Sequence, residues 1–342
     1  MLISAYALCQ LFSGPMLGRL SDHMGRRPLL LLSQAGTFVG FLILANAWSL
    51  WVVFLSRIID GATAGNLSLA QAYISDVTTP DKRAKSFAII GIAFGLGFLV
   101  GPAISGYLVK YGYPVPIYVA AGLSFTSILC TYFLLPENKP EHAEAAPRRL
   151  TILDWGTYVR FFREPGLGSL LGQFFAFTLG FSGFMSGFAL FAERRYMWQG
   201  HPFGTREVGY VYAFGGLLGA IYQGGLVGRL VHLVGERRMA RIAWVGAIVG
   251  YAWLGYTWTV PLLLAAIVVQ GFGTGTLRPV LTSLITQKAG RSQTGAVLGL
   301  TQSLMAVSQI IAPFIAGLLI QKGLLVTWAM FPAAAALAGF LL

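Results

Sequence analysis

A chain of 342 residues with 56% hydrophobic and 11% charged residues has too little polar surface to coat a soluble globule, because soluble domains carry about 25% charge. The net charge of +12 falls in short clusters between apolar runs; that pattern belongs to membrane topology and excludes a nucleic-acid-binding face. What remains is an all-α, multi-pass membrane protein.

A spanning helix takes about 20 apolar residues. Eleven runs qualify: 2–20, 29–47, 51–74, 84–109 and 114–135, then 167–193, 206–231, 239–257, 260–286, 292–320 and 324–342. They are too long for strands and lack period-two alternation. Residues 136–166 form the only long polar connection; Pro136, Pro140 and Pro147 with Glu137, Glu141 and Glu144 read as a solvated linker. Its end, from Leu150 to Phe162, mixes bulky apolar residues with sparse charge and reads as an amphipathic segment for the membrane interface, with Gly156 counting against it. Cys9 and Cys130 lie inside apolar runs and read as small hydrophobes rather than disulfide partners. The first 20 residues lack the basic start and cleavage site of a signal peptide.

Alternate connections hold 17 of the 24 Lys and Arg, including Arg19, Arg26 and Arg27, then Lys82, Arg83 and Lys85, then Arg229, Arg237, Arg238 and Arg241. The bias places that side in the cytoplasm. Trp48, Trp51, Trp253 and Trp258 lie at span ends on the opposite side, as an aromatic belt does.

The sequence repeats. Gly14, Gly18, Leu20, Gly25 and Arg27 recur 210 residues on as Gly224, Gly228, Leu230, Gly235 and Arg237. Asp60-Gly61 maps onto Gln270-Gly271 and Gly65 onto Gly275. The reading is two homologous parallel halves, 1–135 with five helices and 167–342 with six, joined by a cytoplasmic linker at 136–166.

Gly18-x-x-x-Asp22-x-x-Gly25-Arg26-Arg27 resembles the loop signature of the major facilitator superfamily, and Arg57-x-x-Asp60-Gly61-x-x-x-Gly65 looks like its fourth-helix signature. The glycines from Gly91 to Gly106, through Gly97 and Gly101-Pro102, look like the fifth-helix signature of its drug:proton antiporters. With Ala72-Tyr73-Ile74-Ser75-Asp76 and Asp81-Lys82-Arg83, the pattern is similar to the tetracycline-efflux-like branch. The resemblance implies a two-half bundle of twelve helices, of which this chain shows about 11, the first being absent. It also implies a carrier of small molecules and protons set in the cell membrane, with no enzymatic activity and no cofactor. Tetracycline exporters carry an acid in the third span, where this chain has Gly40.

Arg57 and Asp60 are the sharpest chemical signal. They are three residues apart, on one helix face, inside an apolar span. Intramembrane charges are costly and usually functional. Either the pair fixes packing only, or it couples transport to protons, since a carboxylate beside an arginine holds a proton more readily once the two separate. The resemblance carries over the arginine alone, because the family more often has Gln where this chain has Asp60. Asp22 with Arg26, Arg27 and Arg83 reads as a latch between cytoplasmic helix ends, built around Gly18 and Gly25. Gly97, Gly101, Pro102 and Gly106 suit close helix approach and a bend. Asn66, Gln173, Gln270 and Gln302 either line a substrate cavity or bond a neighbouring helix; Phe177 either walls that cavity or faces lipid.

The four histidines are scattered without metal-ligand spacing, and no phosphate-cradling loop is present. The function expected is proton-coupled efflux of drugs or small organic molecules by alternating access. The alternatives are uptake of a neutral nutrient and a shortened, transport-incompetent membrane protein. The second follows if the absent first helix leaves one wall of the cavity open to lipid, which predicts poor transport.

Overall fold

The structure is a computed structural model that describes residues 2–78, 89–90, 93, 96–97, 100–101, 104–137, 155–289 and 294–342. Its helices are α1 (Leu2–Met24), α2 (Arg26–Ala45), α3 (Leu50–Ala62), α4 (Asn66–Val77), α5 (Pro114–Leu134), α6 (Trp155–Arg163), α7 (Leu167–Arg195), α8 (Thr205–Ile221), α9 (Val227–Val234), α10 (Glu236–Leu254), α11 (Val260–Ala289), α12 (Thr294–Gln321) and α13 (Leu325–Leu341). A π turn at Tyr222–Leu226 joins α8 to α9. Strands β1 (Met197–Trp198) and β2 (His201–Pro202) make a short hairpin after α7. Among the described residues, six helical stretches are long and apolar enough to cross a membrane.

Two expectations change in detail. The run 51–74 is not one helix: it breaks between Ala62 and Asn66. The segment before α7 does form a nine-residue helix, α6, with Phe161 buried and Val159 and Phe162 exposed. Gly156 sits in its first turn, where the backbone N–H groups have no helical partner and glycine disrupts least. The run 84–109 lies largely outside the described residues.

Two compact units can be described separately. One comprises residues 1–86, 108–163 and 289–310; the other comprises 87–107, 164–288 and 311–342. In the first, α2 packs on α5, with the Gln34 amide donating to Ser127 and Thr131 at 3.1 and 3.0 Å. Leu17, Leu29, Leu30 and Leu69 form its apolar core. In the second, α7 lays a glycine face against α13. A Cβ on Gly180 would meet the Pro332 carbonyl at 3.2 Å, and one on Gly187 would run into the Trp328 indole. The Trp328 indole N–H donates to the Gly183 carbonyl at 3.3 Å. Small residues let spanning helices approach this closely, and dispersion holds them.

Each unit contains a one-residue reversal between helices. Gly25 turns α1 into α2 at φ 92°, ψ 155°. Gly235 turns α9 into α10 at φ 81°, ψ 154°. That region of backbone space is essentially open to glycine alone. The 210-residue offset recurs in the packing. A Cβ on Gly40 would meet the Asp60 Cβ at 3.1 Å, and one on Gly250 would collide with the Gln270 backbone.

Candidate functional site

The break between α3 and α4 organises a polar cluster in the first unit. Irregular backbone in a span must find partners within the protein, and Ser33 of α2 supplies two. Its hydroxyl accepts the Gly65 N–H at 2.9 Å and donates to the Thr63 carbonyl. Ser33 is fully buried. The Ser13 hydroxyl of α1 donates to the Gly61 carbonyl at 2.6 Å.

Arg57 and Asp60 lie on α3 just before this break, with Arg57 Nη1 3.4 Å from Asp60 Oδ2. Thr37 of α2 lies beside Asp60 and accepts from the Asn66 amide of α4 at 3.3 Å. Tyr6 of α1 lies near both charges, and its hydroxyl accepts from the Gln10 amide at 3.3 Å. Four helices thus converge on one ion pair. Arg57, Asp60 and Asn66 were legible as candidates. Thr37 and Tyr6 were not singled out; the available signal was Thr37 standing one helical turn before Gly40.

At the repeat-related place in the second unit, Gln270 is buried and donates to Thr274 at 3.2 Å. The positions equivalent to Arg57 and Asp60 are Ile267 and Gln270, which carry no charge. The Gln173 amide donates to Ser169 of its own helix at 3.4 Å. Phe177 is buried and stacks on Phe181 at 6.0 Å. Gln302 is half-buried. A Cβ on Gly97, Gly101 or Gly106 would meet nothing within 4 Å. Arg83, Pro102 and the side chain of Asp22 lie outside the described residues.

On the Arg-rich side, Arg26 is buried and pairs with Asp76 at the end of α4, Nε to Oδ2, at 2.9 Å. Its Nη1 donates to the Ser21 hydroxyl and, at 3.4 Å, to the Gly18 carbonyl. Arg27 donates to the Tyr132 carbonyl of α5 and stands 5.5 Å from the Tyr132 ring. Asp76 was legible in the motif but was given no partner. In the second unit Glu236 replaces Arg26 and accepts from Ser283 at 2.8 Å and Gln287 at 2.9 Å. The two equivalent positions, Arg26 and Glu236, therefore carry opposite charge.

On the other side, Arg195 donates to the carbonyls of Thr257 and Gly255 at 3.0 and 2.8 Å and lies 3.3 Å from the Trp258 ring centroid. Arg194 donates to the Ile320 carbonyl. Tyr196 bonds Thr257; burial pushes its hydroxyl above the usual phenol range, while Thr257 and Arg195 pull it back.

Long apolar helices, a span interrupted around a buried ion pair and a repeated glycine framework define a multi-pass membrane transporter. The model of the Major Facilitator Superfamily matches residues 1–257 and 224–342. The chain belongs to that family, whose members are transporters, not enzymes. It is 30% identical to the class E tetracycline resistance protein of Escherichia coli over 92% of this chain and 76% of that one. It is 31% identical to the class G protein of Vibrio anguillarum over 91% and 78%, and 29% identical to the major facilitator superfamily domain-containing protein 10 of Bos taurus over 92% and 71%. The crystal structure of the human organic anion transporter MFSD10 (TETRAN) superposes with a TM-score of 0.81 at 25% identity, covering 99% of this chain and 82% of that one.

Proposed function

We propose that this chain exports small organic molecules in exchange for protons, by alternating access of halves 1–135 and 167–342 in the cell membrane, with 136–166 as the cytoplasmic linker. The observation that carries the reading is the Arg57–Asp60 pair beside the broken span. A carboxylate kept at such a depth is costly unless it serves function. Asp60 is the coupling acid: protonated, it lets go of Arg57; ionised, it holds it. Arg26–Asp76 ties the ends of α2 and α4 on the cytoplasmic side and is opened and closed in the cycle.

The similarity to tetracycline resistance proteins supports organic cargo and export. Gly40 departs from the pattern of tetracycline exporters, yet it lies against Asp60. The acid that the resemblance expects on the third family span is here supplied by the neighbouring helix. Asn66, on the far side of Thr37, and Gln270, in the other half, are the polar groups best placed to meet cargo.

The test is reconstitution of the chain into proteoliposomes under an imposed pH gradient. Asp60→Asn is expected to abolish gradient-driven transport and to leave cargo exchange in part. Proton-driven transport at the wild-type rate by Asp60→Asn would show that the coupling acid lies elsewhere. Transport without proton flux by the unsubstituted chain would make it a uniporter.

A further inference from the structure

We propose that the Arg57–Asp60 pair also binds the anionic group of an organic acid, and that the anion enters together with a proton. This rests on the transport reading only in placing the site on a transport path.

The guanidinium is half used. Nη1 reaches Asp60 at 3.4 Å and Nε reaches Ser56 at 3.4 Å, while Nη2 is buried with no partner among the described residues. An Arg–carboxylate bond of good geometry measures about 2.8 Å, so the present pairing is loose. A buried donor left without an acceptor is destabilising. Among the other buried polar atoms of the first unit that lack partners among the described residues are Gln10 Oε1 and Asn66 Oδ1. Gln10 bonds Tyr6, and Asn66 bonds Thr37, so both border the pair. Neither charge is sealed, since the side chains of Arg57 and Asp60 keep 20% and 11% of their surface. A planar fork with one arm unpaired suits a carboxylate, which takes two parallel N–H bonds.

Charge then dictates the proton. The groups facing the pair are Tyr6 from α1, Thr37 from α2 and Asn66 from α4, and none of them is charged at neutral pH. The pair itself is neutral. An added carboxylate that takes the guanidinium leaves Asp60 as an uncompensated anion in an apolar span. A proton delivered by hydronium or protonated buffer to an Asp60 oxygen removes that charge, and the only bond broken is the donor's own bond to that proton. By reciprocity, the anion tightens proton binding by the factor with which the proton tightens the anion. The charge of the cargo therefore sets the sign of coupling at this site. A cation meets the pair in competition with the proton, as exchange requires; an anion is bound along with it.

The experiment is calorimetric titration of the purified full chain with naphthoate and with its neutral amide, in two buffers of different ionisation heat. Wild type is expected to bind naphthoate at least about tenfold more tightly than the amide near pH 6, with proton uptake for naphthoate alone. Naphthoate affinity should weaken by up to about tenfold per pH unit as pH rises. Asp60→Asn should keep or tighten naphthoate binding and lose both the uptake and the pH dependence. Arg57→Gln in the Asp60→Asn background, which strands no carboxylate, should lose the preference for the anion. Equal affinity for the two probes would overturn the proposal. So would proton uptake persisting in Asp60→Asn, or absence of naphthoate binding by a chain that retains its melting transition. Proton-driven transport combined with charge-blind binding would sink this inference alone; linked binding without transport would sink the export reading alone.

Discussion

At the scale of single residues, the chain shows how a costly charge is accommodated. Asp60 is buried beside the uncharged Tyr6 of α1 and Thr37 of α2, with one guanidinium beside it. Gly40 leaves the room for it: a side chain there would press on the Asp60 Cβ at 3.1 Å and on the Ser56 carbonyl at 3.3 Å. This makes the carboxylate movable between the two helices. Asp60→Gly alone should lose proton coupling, and Gly40→Asp with Asp60→Gly should recover part of it, read as proton flux in proteoliposomes. Failure of the double variant to recover any flux, in a chain that still inserts and melts normally, would show that coupling needs the carboxylate on α3. Arg26 offers a second residue-scale test. It is buried and Asp76 is partly open to solvent, so removing one partner strands the other incompletely. Asp76→Asn should cost about 1–3 kcal/mol, seen as a fall of a few degrees in the melting transition, and Arg26→Ala in the Asp76→Asn background should add less than it does alone.

At the scale of elements, the sequence was legible wherever one physical cause dominated. Length and apolarity located α2, α5, α7, α11 and α12, because a span has to satisfy its own backbone. Gly25 and Gly235 were visible as paired turn residues, and the structure adds that both occupy backbone space closed to other side chains. Gly235→Ala should therefore destabilise by about 1–3 kcal/mol. Gly228→Ala, with nothing within 4 Å of its Cβ, should leave the melting transition unchanged. Equal effects would show that the turn tolerates a side chain. The break between α3 and α4 was not legible. Thr63-Ala64-Gly65 contains no proline, and the interruption is held by Ser33, 32 residues earlier, which takes the freed Gly65 N–H. The pairing of Arg26 with Asp76 was hidden for the same reason: it spans fifty residues, and nothing local selects Asp76 over Asp22. Arg57 with Asp60 was legible because helical spacing alone puts them on one face.

At the scale of the whole molecule, the distribution of charge decides orientation. The positive-inside bias predicts that the side carrying 17 of 24 Lys and Arg faces the cytoplasm. Two of the arginines on the opposite side are held by helix ends: Arg195 caps the carbonyls that close α10 and lies on Trp258, and Arg194 caps Ile320 at the end of α12. Cations at helix C-termini complement the dipole, so these two are explained by local bonding and do not weaken the bias. Single cysteines are to be placed at His142, in the linker, and at His201, in the hairpin after α7, after Cys9 and Cys130 are replaced by Ala. In intact cells a membrane-impermeant maleimide should label the cysteine at 201 and spare the one at 142, and in inverted vesicles the pattern should reverse. Labelling of both positions from outside the cell would put the linker and the hairpin on one side. That would require an odd change in the number of crossings between them, which a single helix α7 of 29 residues does not permit, and the two-half topology would have to be abandoned.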